Sequence, residues 1–333
     1  MSYFSIIIPV YNRPDEMKDL LSSLSRQTDK GFEVVVIEDG STDKCDSIVD
    51  GFRKMMSISY YYKENTGQSD SRNIGMRKAS GEYFIFFDSD CIVPPTYIET
   101  VRKRLAADFV DCYGGPDAAD KSFTPLQKAI NHSMTSFLTT GGIRGGKKQM
   151  EKFCPRSFNM GISKAAYLAT GGFHDTLGED IDLSLRILEA GFQTALIREA
   201  FVYHKRRTSL GKFLKQVHIF GQARISLYKQ HPYSLKIVHL APAVFTLGCF
   251  TLLIIGIFHP WVLLLLVAYM LMLFTDSAIK NRSLTIGLLS VVTGFIQLTG
   301  YGTGFIRAFW QKIVLRKELE SRNKIKNMYN KEN

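Results

Sequence analysis

Tyr83-Phe84-Ile85-Phe86-Phe87-Asp88-Ser89-Asp90 is a run of five apolar residues that ends in two aspartates separated by one serine. Apolar residues in succession, without alternation, read as a strand buried on both faces, as in a parallel sheet covered by helices. Similar runs stand at residues 4–8, 33–37, 58–62 and 109–113. Helical patterns fall between them, around Met17, Leu20, Leu21 and Leu24 and near residues 43–52, 69–78 and 96–106. Strand and helix taking turns predict an α/β domain with a mostly parallel sheet. Ligands of such sheets bind beyond the carboxyl ends of the strands, so the residues just after each run carry the functional reading.

Three polar clusters follow strands: Pro9-Val10-Tyr11-Asn12-Arg13, Glu38-Asp39-Gly40-Ser41 and Asp88-Ser89-Asp90. An Asp-x-Asp triplet alone solvates many turns. At the end of a buried strand it brings two like charges together at the ligand edge, where a divalent cation relieves their repulsion and bridges diphosphate oxygens. Asp88 and Asp90 are therefore the candidate metal ligands, and Ser89 lies between them at the diphosphate. Asp39 is placed to accept a nucleobase N–H, with Pro9, Tyr11, Asn12 and Arg13 as the facing wall; its alternative is an Asx turn. Residues 67–73 offer a loop at Gly67 and then Arg72, whose fork suits either a phosphate or an acidic strand end. Glu179 and Asp180 stand where a glycine-punctuated loop meets a helix start, favourable for carboxylates in any case. Chemistry wants one there for another reason: a hydroxyl acceptor needs a carboxylate to take its proton as it attacks an anomeric carbon, and such direct displacement inverts that carbon.

Taken in order, Ile-Ile-Pro-Val-Tyr-Asn, Glu-Asp-Gly-Ser, Gly-x-Ser-x-Ser-Arg-Asn, the triplet at 88–90, and Gly-Gly-Phe with Gly-Glu-Asp-x-Asp-Leu-Ser-x-Arg resemble a family 2 glycosyltransferase of GT-A fold over residues 3–230. The resemblance implies a nucleotide-sugar donor, usually carrying uracil held by Asp39. It implies Mn2+ or Mg2+ with the diphosphate at Asp88 and Asp90, and a catalytic base at Asp180 with Glu179 as its rival. His204, after another apolar run, resembles the histidine that completes the metal or diphosphate site in some relatives; its alternative is a structural role. Gln222-Ala223-Arg224-Ile225 departs from the Q-x-x-R-W signature of processive synthases. Gly300-Tyr301-Gly302-Thr303-Gly304-Phe305 is similar to the last segment of exopolysaccharide-type transferases, whose acceptors are saccharides or lipid-linked saccharides.

Composition divides the 333 residues into a domain at 1–235, a transmembrane region at 236–306 and a basic tail at 307–333. Apolar runs at 241–258, 261–275 and 284–306 approach the roughly 20 residues that a membrane span takes. If all three cross, the basic tail ends opposite the domain, against the positive-inside tendency, so one of the last two is expected to be re-entrant or interfacial. The net charge of +11 gathers beside these runs, from Lys205 to Lys236 and from Arg307 to Lys326, which fits anionic lipid headgroups and not nucleic acid. Five scattered cysteines form no framework or zinc set, and residues 1–9 do not read as a signal peptide. A multi-pass inner (plasma) membrane protein with a cytoplasmic domain follows. Residues 141–148 nearly spell a phosphate loop but lack its closing Ser or Thr and read as an acceptor-side loop. The competing readings are a polyprenyl-phosphate sugar synthase and a catalytically silent membrane scaffold.

Overall fold

The computed structural model describes residues 3–118, 123–141, 153–204 and 207–317. These form two compact units, one of residues 3–118 and 153–204, the other of 123–141 and 207–317. The first unit begins with β1 (Phe4–Val10), α1 (Pro14–Ser25), β2 (Phe32–Asp39), α2 (Asp46–Phe52), β3 (Ser57–Lys63), α3 (Gln68–Lys78) and β4 (Tyr83–Phe87). It continues with β5 (Cys91–Ile92), α4 (Tyr97–Ala107), β6 (Cys112–Gly114) and β7 (Asp117–Ala118). The chain passes through α5 (Pro125–Thr135) and α6 (Phe137–Thr140), then adds β8 (Asn159–Ser163), α7 (Lys164–Thr170), α8 (Glu179–Glu189), β9 (Thr194–Leu196) and β10 (Val202–His204).

Seven strands make the main sheet in the order β3-β2-β1-β4-β8-β6-β9. All neighbours are parallel except β8, which runs antiparallel to both β4 and β6. Successive side chains of a strand point to opposite faces, and the core divides accordingly. Ile6, Ile8, Val34, Val36, Ile85 and Phe87 pack with Met17, Leu20 and Val101 on one face. Ile7, Val35, Ile37, Phe84 and Phe86 pack with Met76, Leu183 and Ile187 on the other. Both faces are therefore covered, as the uninterrupted apolar runs require. The strand order reverses at β1, so the carboxyl ends of β1, β2 and β4 lie side by side and open a crevice there. A small second sheet, β5-β10-β7, sets β10 beside β5 with His204 opposite Cys91.

The second unit contains α5 and α6 together with α9 (Leu210–Gln230), α10 (Ala241–Phe258), α11 (Leu264–Asn281) and α12 (Leu284–Phe309). The boundary drawn at 235 on composition thus moves to 205–206, and the stretch 123–141 leaves the first unit for the second. The cause is packing that composition does not reveal. At Gly221 of α9 a Cβ would meet the Tyr301 carbonyl at 2.1 Å, and at Gly304 of α12 one would meet the His218 carbonyl at 2.1 Å. Glycines let the two backbones touch. His132 Nε2 of α5 lies 2.8 Å from Asp276 Oδ2 of α11, which Lys280 and Ser136 also contact. Ala241–Phe258, Pro260–Asn281 and Leu284–Val314 are each long and apolar enough to cross a membrane. α11 and α12 are unbroken helices, without the interruption expected of a re-entrant segment. Helix α12 also runs into the stretch assigned to the basic tail, whose residues 318–333 lie outside the described residues, as do residues 142–148 of the glycine-rich loop.

Candidate active site

The first wall of the crevice is made by the loops after β1 and β2. Asn12 sits at φ 50°, a left-handed conformation that asparagine tolerates better than most residues. Its side-chain oxygen accepts from the backbone N–H groups of Thr42 at 2.9 Å and Asp43 at 3.0 Å, and its own N–H donates to Ser41 Oγ at 2.8 Å. Glu38, wholly buried, accepts from Ser41 Oγ, the Cys45 N–H and Tyr60. Burial pushes the Cys45 thiol far up, with the Glu38 carboxylate beside it adding to the effect, so this cysteine stays a neutral donor. Pro9 is half-buried and Tyr11 is exposed.

Asp39 ends β2 with 5% of its surface exposed. It accepts from Lys63 Nζ at 2.5 Å, from the Thr66 N–H at 3.0 Å and from the Gly67 N–H at 3.0 Å. Gly67 has φ 96°, open to glycine and to few other residues, and caps α3 from that conformation. Lys63 and Thr66 carry no sequence signal beyond their place at the end of the third strand.

Past β4, Asp88 is one-third exposed on its side chain, Ser89 is buried and Asp90 is nearly so. Arg72 has no exposed surface; it donates to Asp88 Oδ1 at 2.6 Å and to Glu179 Oε1 at 3.3 Å. Of its two sequence readings the geometry favours the ion pair: Arg72 is an internal tie between the end of β4 and the start of α8, not a surface for phosphate. Gln68 donates to the same Glu179 oxygen at 2.6 Å. Arg13, partly exposed, reaches Asp90 Oδ2 at 3.0 Å.

On the other side of Asp90, Oδ1 lies 3.1 Å from His204 Nε2, whose ring stacks on Phe158 with centroids 4.8 Å apart. Ligand atoms of Asp90, Cys91 and His204 lie within 4.8 Å of one another. Burial holds the Cys91 thiol well above its ordinary value, and Asp90 and Asp88 raise it further, so the donors on offer are carboxylate and imidazole. That set fits a divalent cation of the Mn2+ kind, which accepts both oxygen and nitrogen. Of the three residues that the sequence pointed to, Asp90 and His204 lie in this cluster, whereas Asp88 is tied to Arg72.

Helix α8 starts from Gly178 at φ 78° and separates the two acids that sequence left as rivals. Glu179 is buried against Arg72 and Gln68. Asp180 is half-buried: Oδ1 accepts the Ile181 N–H at 2.8 Å and Oδ2 lies 3.7 Å from Arg156. Asp182 turns away, buried between Arg186 at 2.8 Å and His174 at 3.1 Å. Asn159, absent from any sequence motif, accepts from Tyr97 at 2.5 Å and donates to the Ala200 carbonyl at 2.8 Å, fixing the approach to β10.

Residues 5–167 match the model of glycosyl transferase family 2. Glycosyltransferase GlyA of Streptococcus pneumoniae serotype 4 is 40% identical over 102 residues, covering 30% of this chain and 15% of the relative. Validoxylamine A glucosyltransferase of Streptomyces hygroscopicus is 37% identical over 228 residues, 59% of this chain and 54% of the relative. The chain thus spans from about a seventh to about half of the length of these relatives. Among solved structures, the mannosyltransferase PcManGT of Pyrobaculum calidifontis, in complex with GDP-Man and Mn2+, superimposes with TM-score 0.60 at 17% identity, over 93% of this chain and 88% of that one. At that identity the likeness speaks for the fold, GT-A, with its mostly parallel sheet. The match takes in the crevice-forming strands, and residues 5–167 are therefore a glycosyl transferase family 2 domain.

Proposed function

We propose that the protein is an inverting, metal-dependent glycosyltransferase that moves a sugar from a nucleoside diphosphate donor, UDP-linked, to a saccharide or lipid-linked saccharide. The observation that carries this is the tie through Arg72, which fixes the acidic end of β4 beside the acidic start of α8. A donor diphosphate at the former would present its anomeric carbon toward the latter. The bound divalent cation would offset charge on the departing nucleoside diphosphate.

The side chains divide the remaining work. Asp39 and the loop held by Asn12 receive the nucleoside. Arg13, partly exposed and already at Asp90, can turn a guanidinium nitrogen to a phosphate oxygen. Glu179 is committed to Arg72 and Gln68, which leaves Asp180 to accept the proton of the attacking hydroxyl. The apolar helices, and the basic residues that precede them on the side of the catalytic unit, support a multi-pass place in the inner membrane, with that unit on the cytoplasmic side and anionic lipid around the helices.

The test is transfer itself. Membranes containing the protein, given labelled nucleotide sugars and Mn2+, should pass label into a lipid or saccharide fraction, and Asp90→Asn should stop it. Failure across a panel of donors, with no donor hydrolysis, would revive the silent scaffold. Full activity of Asp180→Asn would instead indicate a phosphate acceptor that needs no base, as in a polyprenyl-phosphate sugar synthase.

A further inference from the structure

The hydrogen bonds around Asp39 divide its two oxygens between different tasks. Oδ1 accepts from Lys63 Nζ at 2.5 Å and the Thr66 N–H at 3.0 Å, whereas the one Gly67 N–H, 3.3 Å from Oδ1, lies nearer Oδ2 at 3.0 Å and donates chiefly there. An oxygen of this kind has two lone-pair sites, so Oδ1 is full and Oδ2 retains one. Only 7% of the side chain is exposed, room for a single contact.

Lys63 has no proton left for a ligand. Its ammonium donates to Asp39, to the Glu64 carbonyl at 3.0 Å and to Thr66 Oγ1. Gly40, at φ +74°, lets the segment close further, because a Cβ there would meet the Asn65 nitrogen at 2.6 Å. The lysine therefore pins residues 64–67 against one oxygen of the carboxylate and keeps that oxygen occupied.

Nucleobases ask different things of such an acid. Guanine presents an imide-type N–H beside an amino N–H, a parallel pair that suits both oxygens of a carboxylate. Uracil presents one N–H between two carbonyls and needs one oxygen. With Oδ1 saturated, a guanine would be left with a donor unmet in a nearly closed pocket, which is costly.

Resting on the reading that Asp39 faces the base, we propose that Lys63 is a positioning residue that makes this pocket select uracil over guanine. Titration calorimetry of the full chain in detergent with Mn2+ tests it, using UDP and GDP as probes. The wild type should bind UDP at least about tenfold tighter than GDP, the size expected for one unmet donor. Lys63→Met should narrow that ratio to about threefold or less, weakening UDP and strengthening GDP. A lysine that only supported the fold would weaken both alike and leave the ratio in place, which would overturn the proposal. So would equal binding of the two nucleotides by the wild type, a measurement that needs no variant to fold. Binding of neither removes the nucleotide-site reading as well.

Discussion

Arg72 Nη2 lies 2.6 Å from Asp88 Oδ1, in a guanidinium shut off from solvent. Removing the cation would leave Asp88 and the buried Glu179 facing each other without compensation. Breaking a buried pair in this way costs on the order of 3–5 kcal/mol. Arg72→Ala should therefore lower the urea midpoint sharply and abolish transfer. Arg72→Lys, which lacks the fork that reaches two acids at once, should recover stability only in part. Wild-type stability of Arg72→Ala would show that the tie is incidental.

Asp180 and Glu179 should respond differently although they are adjacent. Asp180→Asn should reduce kcat by about 10²- to 10⁴-fold with donor KM little changed, the range for loss of a general base. Glu179→Gln removes a charge from Arg72 and Gln68 and should appear first as a lower melting temperature. Steady-state kinetics and thermal melts of both variants check this, and the reverse pattern would reassign the base.

His204→Ala should weaken Mn2+ binding by about tenfold or more, since even loss of a group supporting a metal ligand costs that much. Electron paramagnetic resonance of free Mn2+ reads it without turnover. An unchanged affinity would leave His204 as a packing residue on Phe158.

Asp29 supplies a pH-dependent share of stability. Burial raises its pKa, but hydrogen bonds from Arg102, at 2.5 Å and 3.3 Å, and from the Gly31 N–H outweigh that, so the folded value lies below the ordinary 3.8. A depressed carboxylate gives stability that is fully present above its unfolded pKa and is lost as pH falls through the folded one. The gap in unfolding free energy between the wild type and Arg102→Met should be about 1–2 kcal/mol at pH 7 and shrink below about pH 4. A gap that does not change down to pH 2.5 would argue against it.

The sheet was legible because its central strands are buried on both faces. The run at 83–87 is β4 to the residue, and those at 4–8, 33–37 and 58–62 fall within β1, β2 and β3. The run at 109–113 becomes strand only from Cys112, since Phe109 lies exposed on the turn after α4. β8, Asn159-Met160-Gly161-Ile162-Ser163, was not read as a strand because its alternation rests on only two apolar residues, Met160 and Ile162; antiparallel pairing with β4 and β6 makes it one. At the site, strand-end acids could be found because position alone marks them. The partners that fix them, Lys63, Gln68, Arg156 and Asn159, are brought in by tertiary contact and have no local pattern. Residues 123–141, which the sequence reading left without a motif, are largely helical, with Thr124 and Gln127 forming a capping box at the start of α5.

Because Asn12 bonds to the backbone of Thr42 and Asp43 from one side chain, the loops after β1 and β2 move as one body. On the proposed reading, an arriving nucleoside would meet a gap of set width, so little chain freedom would be surrendered on capture and encounter would be governed by diffusion and orientation. Asn12→Gly, which keeps the backbone conformation but cuts the strap, should slow UDP association in stopped-flow measurements and leave the secondary structure intact. The same rigidity has a cost in evolvability: a bulkier base could not be admitted by a small shift of one loop, because the other would have to follow.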